Sequence, residues 1–266
     1  MKTDFKLKQN TRAFNNVFLL VFKSFVRNPR GPLFMYVVPT FFMILFYFVL
    51  DFAPDSSGIN QAKILLPYSV LPALTILTSL TPAIIEWKNS VLLKRVEITG
   101  ISKSLFLLAL WFVYFIIGLS GVIVEMLVAL IIGQKDFLDV LSSLDWGLFI
   151  VGIVLTIFTS IAISSFIGGI MSSDGAAQGV IMMLYFFSIF MSGIMLPPAI
   201  IEGQVVTRII SFILPHKYAV YPLLYAQNSV GLQSFHEVWV PILISIGIII
   251  SFFVVTSFTF KWSSKK

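Results

Sequence analysis

The sequence contains no cysteine, and this absence removes whole classes of chemistry. A chain without thiols forms no disulfide, has no thiolate nucleophile and holds no cysteine-ligated metal. Charge is also scarce, because only 11% of the 266 residues are Asp, Glu, Lys or Arg. Soluble globular domains have about 25% charged residues. The chain is therefore too poor in charge for an ordinary soluble protein.

Catalytic motifs are missing as well. The two histidines, His216 and His236, lack the HExxH or i, i+4 spacing of a metal site. The sequence has no GxSxG nucleophile elbow and no GxxxxGK[ST] phosphate loop. We therefore expect that the chain is not an enzyme and binds no metal or cofactor itself, so that any ATP hydrolysis takes place on a partner chain.

Long apolar runs dominate what is present. The chain is 58% hydrophobic, with a mean hydropathy of +0.97. About 18 apolar residues cross a hydrocarbon core of about 30 Å as a helix, and these runs are too long and too uniformly apolar for barrel strands. The sequence therefore predicts an all-α polytopic membrane protein with six transmembrane helices. The six runs are Leu33–Leu50, Ile64–Ile85, Ser104–Val124 (continuing to Gly133), Trp146–Met171, Gly175–Ile201 and Val238–Phe260.

Basic residues predict the orientation. With both termini in the cytoplasm, fourteen of the eighteen Lys and Arg residues lie inside and four outside. Such an excess is typical of cytoplasmic loops. We therefore predict a multi-pass protein of the cell membrane with both termini cytoplasmic, and we interpret the net charge of +6 as a topology signal, not as nucleic-acid binding. We expect no cleavable signal peptide, because the first apolar run is too long for one.

The segment before the first run has the pattern of an amphipathic helix. Apolar residues recur at helical spacing from Phe14 to Phe25, and polar residues occupy the opposite face. This pattern favours a helix in the cytoplasmic membrane interface, ending at Asn28-Pro29. The alternative is a basic leader that only sets orientation. The residues assigned to the interfacial helix are Phe18, Phe22, Lys23, Phe25 and Arg27.

The charged segment EWKNSVLLKRVEITG separates the second and third runs, at residues 86–100. As one helix, it would place Trp87, Val91 and Ile98 in a narrow apolar stripe flanked by basic residues. A helix lying on lipid has one broad stripe instead. We therefore predict a single short helix held between the membrane and a protein partner. Its assigned residues are Glu86, Trp87, Lys88, Ser90, Val91, Lys94 and Arg95.

We do not expect the fifth run to form one straight helix, because Gly193 and the pair Pro197-Pro198 interrupt it. We predict a bend at Ser192-Gly193, followed by short re-entrant or surface helices on the outer side. Irregular backbone at membrane depth must face protein or water, which favours a pathway lining. The residues assigned to this pathway segment are Ser192, Gly193, Pro197, Pro198, Leu214 and Pro215.

Two features lie inside the spans. Glu125, in the third run, is placed near the outer interface by its distance from Ser104, and both a gating role and a snorkelling or packing role stay open. The fourth run has a small residue at every fourth position, which predicts close helix packing. Those small residues are Thr156, Ser160, Ser164, Gly168 and Ser172.

Together these motifs resemble the permease subunits of type-2 ATP-binding-cassette exporters. In that family the loop after span two carries a motif of the form E-x-x-x-G-[ST]-L-x-x-L, which residues 86–100 match in outline. The departure is that Asn89 stands before the hydroxyl residue, where the family has glycine. The N-terminal amphipathic helix is similar too, as are three stretches of the last third: Met191–Gly193, Leu196–Pro198 and Leu214–Ala219. The resemblance covers essentially the whole chain.

The resemblance implies a half-transporter with a single permease domain over residues 1–266. Residues 1–31 would form a cytoplasmic tail and interfacial helix, 32–262 the bundle, and 263–266 a tail. Two permease copies, as a homodimer or heterodimer, would bind two cytoplasmic ATPase subunits that hold ATP and Mg. The interfacial and 86–100 helices would receive the ATPase motion. The substrate is left open, although the lack of charged cavity residues favours an apolar or amphipathic one.

Two other functions fit a six-span protein. An integral membrane lipid-modifying enzyme would need a convergent polar cluster, for which only Glu125, His216 and His236 are available. A non-transporting membrane scaffold or immunity protein would sequester a partner. A phosphate-loop ATPase encoded beside this chain would favour the exporter over both.

Overall fold

The computed structural model describes residues 2–51, 61–228 and 234–262. Within these ranges the chain is helical and has no strand. Six helices are long and apolar enough to cross a membrane, so the predicted all-α, six-span architecture is confirmed. These helices, called spans one to six, are Arg30–Val49, Ala62–Asn89, Lys103–Ser142, Trp146–Ile170, Asp174–Met191 and Trp239–Thr259.

Five further helices of the described residues lie before and between the spans. They are the N-terminal helix Lys2–Arg27, the loop helix Leu92–Ile98, and the first, second and third distal helices, Pro198–Gly203, Val205–Ile213 and Pro215–Ala226. Span one contains a π-helical turn at Leu33–Val37, and span two is built from Gln61–Tyr68 and Leu71–Asn89. The end of the bundle that carries the loop helix is called the basal end, and the opposite end is called the distal end.

Spans two and four form the centre of the bundle. In their most apolar 18-residue windows, 89% and 72% of residues are buried, against 17–33% in the other spans. A Cβ atom added to Gly168 would lie 3.0 Å from Ile84 Cβ on span two. The predicted close packing of span four is confirmed, because four of its small residues are buried: Thr156, Ser160, Ser164 and Gly168.

The N-terminal helix packs against span three. It ends at Arg27, directly before the predicted stop at Asn28-Pro29. The rings of Phe18 and Phe112 lie 6.1 Å apart, and those of Phe25 and Tyr114 are also 6.1 Å apart. Protein therefore covers part of the apolar face that was expected to meet lipid. The other assigned residues of this helix are exposed: Phe22, Lys23 and Arg27.

The third distal helix lies beside span four and runs antiparallel to it. Its first turn reaches Ser160 through His216, and Ala226 O at its end accepts a hydrogen bond from Asp145 N at 3.2 Å. Ser160 lies about 21 Å along span four from its distal end, at 1.5 Å per residue. The third distal helix therefore begins inside the bundle and ends at its distal surface, which favours the re-entrant over the surface alternative for this helix.

Candidate functional site

The charged segment between spans two and three is not a single helix, so that prediction is wrong. Span two continues to Asn89, Ser90 is extended with a ψ of 178°, and the loop helix begins at Leu92. Ser90 Oγ donates to Trp87 O at 2.9 Å and accepts from Leu92 N at 3.2 Å. A serine hydroxyl that bonds nearby backbone competes with helix continuation, which explains the break.

The predicted apolar stripe of this segment does not form. Val91 and Ile98 are 61% and 85% exposed, whereas Trp87 is only 4% exposed. The indole Nε1 of Trp87 donates to Ser24 Oγ on the N-terminal helix at 3.0 Å. The hydrogen bond of Trp87 therefore joins the N-terminal helix to the basal end of span two.

Lys88 also points into the bundle, although the helical wheel placed it beside a partner surface. Its side chain is 2% exposed. The ammonium Nζ donates to three carbonyl oxygens at the end of span four: Gly168 and Gly169 at 2.9 Å each, and Met171 at 2.5 Å. No sequence pattern indicates this role, because it depends on where span four ends in space.

The exposed basal surface combines apolar and basic side chains. Lys94 and Arg95 of the loop helix are exposed beside Val91 and Ile98. A groove of about 750 Å³, called the basal groove, separates the loop helix from the N-terminal helix. An exposed apolar patch rimmed by polar groups is typical of an interaction surface. The groove is lined by residues that include Asn16, Leu20, Val91, Leu92, Arg95 and Thr99.

A cavity of about 350 Å³, called the basal cavity, lies where the basal ends of spans one, two and five meet. Charged side chains line it, contrary to the expectation of a pathway without charge. Aromatic side chains from span two and span three complete the wall. The cavity can therefore hold a polar group beside an apolar one. Its lining includes Arg30, Glu86, Trp87, Tyr114, Asp174 and Gln178.

Span five ends near the predicted bend. Its helix stops at Met191, ten residues before the end of the apolar run, and Ser192 is buried. Gly193 has a φ of +97°, a conformation that glycine adopts without steric cost. A Cβ atom added to Gly193 would also lie 2.5 Å from Leu224 Cδ1, so the third distal helix approaches closely here.

The assigned prolines mark the starts of distal helices. Pro197 is the N-cap of the first distal helix and Pro198 its first residue. Leu214 is the N-cap of the third distal helix, and Pro215 is its first residue. Proline is favoured at the first helical position, since its missing N–H has no helical partner there.

His216 has a structural role that catalytic spacing rules do not detect. Its Nε2 lies 2.9 Å from Ser160 Oγ on span four, and its Nδ1 lies 2.9 Å from Ser188 Oγ on span five. A neutral imidazole has one donor and one acceptor nitrogen, and hydroxyls can satisfy both. Burial lowers the pKa of His216, which keeps the imidazole neutral. His216 therefore joins the third distal helix to two spans.

A buried ion pair stabilises the distal helices. Lys217 Nζ lies 3.1 Å from Glu202 Oε1, and the two side chains are 3% and 8% exposed. The Ser234 hydroxyl donates to the same carboxylate oxygen. The pair joins the first and third distal helices to the segment before span six. Counting charges along the chain had assigned Lys217 only to an outer loop.

Glu125 is fully buried against span one. Its Oε1 accepts a hydrogen bond from Thr40 Oγ1 at 2.6 Å. The interpretation of Glu125 as a snorkelling residue is therefore wrong, because its carboxyl group faces a neighbouring helix. Packing between spans one and three is the role that the geometry supports.

Comparison with protein families identifies the chain. The model of the ABC-2 family transporter protein matches residues 51–258, which hold spans two to six, the loop helix and the distal helices. The chain belongs to the ABC-2 transporter family. The resemblance seen in the sequence is thereby confirmed, and the chain is a permease subunit of an ABC transporter. Searches of the curated proteins and of the solved structures gave no match.

Membership of this family makes the permease a transport subunit of the membrane. In the ranges that the structure describes, no group of three or more His, Asp or Glu residues could hold a metal ion. The basal surface, the basal cavity and the distal helices are the candidate functional parts of the permease.

Proposed function

We propose that the permease is the membrane half of an ABC exporter whose separate ATPase subunits bind the basal surface. The observation that carries this proposal is the exposed loop helix, where Val91 and Ile98 lie beside Lys94 and Arg95. Apolar side chains framed by charge suit a protein partner. The sequence has no phosphate loop, so ATP and Mg would be held by the partner.

The basal end faces the cytoplasm in this proposal. The loops and tails assigned to that end carry fourteen of the eighteen basic residues. Both termini would be cytoplasmic and the distal helices would face outwards across the cell membrane. ATPase subunits in the cytoplasm could then reach the loop helix.

A second permease copy, identical or homologous, would complete the transport pathway. The basal cavity supports this arrangement, because spans one and five line it and both are largely exposed within one chain. Glu86 lines the cavity and also a second groove of about 890 Å³, which is formed mainly by the N-terminal helix and is distinct from the basal groove. Movement of the basal surface would therefore reach the cavity wall directly.

Co-purification of the permease with a phosphate-loop ATPase from the same cells tests the proposal. We expect the double variant Lys94→Glu, Arg95→Glu to lose the ATPase, because charge reversal disrupts a complementary contact. Lys135→Glu is the matched control, since Lys135 is exposed at the distal end. Undiminished binding by the double variant would contradict the proposal.

A further inference from the structure

Lys88 joins spans two and four at the basal end. Its ammonium group bonds Gly168 O, Gly169 O and Met171 O, so each of its three protons has a carbonyl acceptor. Gly169 O also accepts from Lys261 N at 3.4 Å, just beyond span six. One buried cation therefore connects the end of span two with the end of span four, and Gly169 O connects span four with the segment after span six.

The Lys88 ammonium binds the C-terminal carbonyl groups of span four. The last carbonyls of a helix lack intrahelical donors, and the helix dipole places partial negative charge there. A lysine ammonium satisfies both conditions, because it donates hydrogen bonds and carries a positive charge. Hydrogen bonds to a charged group are stronger than neutral ones. The contact can therefore transmit force between the helices.

The position of Lys88 connects the two candidate functional surfaces. It precedes the Ser90 break and the loop helix by a few residues. On the other side, Met171 leads into the turn whose Ser173 hydroxyl caps span five at Ala176 N. The next residue, Asp174, lines the basal cavity. A displacement of the loop helix would thus reach span five through Lys88.

We propose that Lys88 is a positioning residue that transmits movement of the loop helix to the turn between spans four and five. This inference rests on the proposed function, in which an ATPase moves the loop helix. A role restricted to stabilising the end of span four would leave that transmission intact when Lys88 is replaced. The two roles therefore differ in a conformational measurement.

The cysteine-free chain allows that measurement with the permease–ATPase complex. Spin labels are placed on Lys135→Cys with either Glu97→Cys on the loop helix or Ser172→Cys, all at exposed positions, before assembly with the ATPase. Distances are compared in the nucleotide-free complex and with ATP plus vanadate. With Lys88 present, we expect nucleotide to shift both distances.

In Lys88→Met, whose side chain cannot donate, we expect the distance from the Glu97 label still to shift and the shift at Ser172 to be lost. Lys88→Arg retains donors and should restore the Ser172 shift. A full Ser172 shift in Lys88→Met overturns the inference. No shift at Glu97 even with Lys88 present contradicts the proposed function itself, and the inference with it.

Hydrogen exchange of the complex without substitutions at Lys88 gives a second measurement that does not depend on folding of the variant. Nucleotide should change amide protection at residues 89–95 and at residues 172–177 together. A change confined to residues 89–95 would overturn the inference, because the turn would then be uncoupled from the loop helix.

Discussion

Thr40 Oγ1 on span one lies 2.6 Å from Glu125 Oε1 on span three and 2.7 Å from the carbonyl oxygen of Tyr36. A threonine hydroxyl has one proton, so it cannot donate fully to both acceptors. The Tyr36 hydroxyl lies 2.8 Å from Ser120 Oγ between the same two spans. These polar contacts fix span one, which is otherwise largely exposed, against span three.

Glu125→Gln should therefore preserve the fold. The amide can donate to Thr40 Oγ1, which leaves the hydroxyl free to donate to Tyr36 O. We expect a Tm in detergent equal to or above that of the unmodified protein. Glu125→Ala should lower stability by about 0.5–3 kcal/mol, because truncating a buried side chain leaves a cavity between spans one and three. Equal destabilisation by both variants would contradict this account.

The hydrogen bond between Trp87 and Ser24 should hold the N-terminal helix on the bundle. Trp87→Phe and Ser24→Ala should each cost about 0.5–1.5 kcal/mol, and the double variant little more than one of them, because both remove the same bond. Hydrogen exchange of the N-terminal helix measures the effect. Trp146→Phe, at the exposed start of span four, is the control. Fully additive losses would show that the bond contributes nothing.

His216 should make the distal helices sensitive to acid. Its folded-state pKa lies below that of the unfolded chain, so the unfolded state binds the proton more readily. Stability is then full above the unfolded pKa of about 6.5 and falls as the pH drops below it. We expect Tm to decrease between neutral and mildly acidic pH. His216→Gln should flatten this decrease, whereas His236→Gln should not. An identical pH profile for His216→Gln would contradict the assignment.

Removing one partner of the Glu202–Lys217 ion pair should cost more stability than removing both charges. Lys217→Met removes the ammonium from a buried carboxylate and should destabilise by roughly 3–5 kcal/mol. The double variant Glu202→Gln, Lys217→Met should recover much of that loss, because no uncompensated charge remains. Thermal unfolding of the two variants checks this. A double variant less stable than Lys217→Met would contradict it.

Hydropathy and local polar residues predicted most of the fold. The apolar run Trp146–Met171 matches span four within one residue, because Asp145 caps its start, accepting from Leu148 N at 3.2 Å. The end of span five near Gly193 could be predicted too, since glycine and proline act on the local backbone. Such local signals are present in the sequence itself.

The contacts of the candidate site could not be predicted in the same way. Lys88 and His216 are polar residues whose partners lie on other spans, far away along the chain. A helical wheel assigns faces only within one helix, and the Ser90 break invalidated the wheel for residues 86–100. The exposed positions of Lys94 and Arg95 remained valid, because they lie on the loop helix itself.

Site-specific cross-linking tests the central claim most directly, since every introduced cysteine is unique in the permease. Val91→Cys and Lys135→Cys are compared in membranes that contain the ATPase. We predict that a short thiol–amine cross-linker joins Val91→Cys to the ATPase, and that only Lys135→Cys reacts with an impermeant thiol reagent added outside. Cross-linking of the ATPase to Lys135→Cys, or outside labelling of Val91→Cys, would contradict the account.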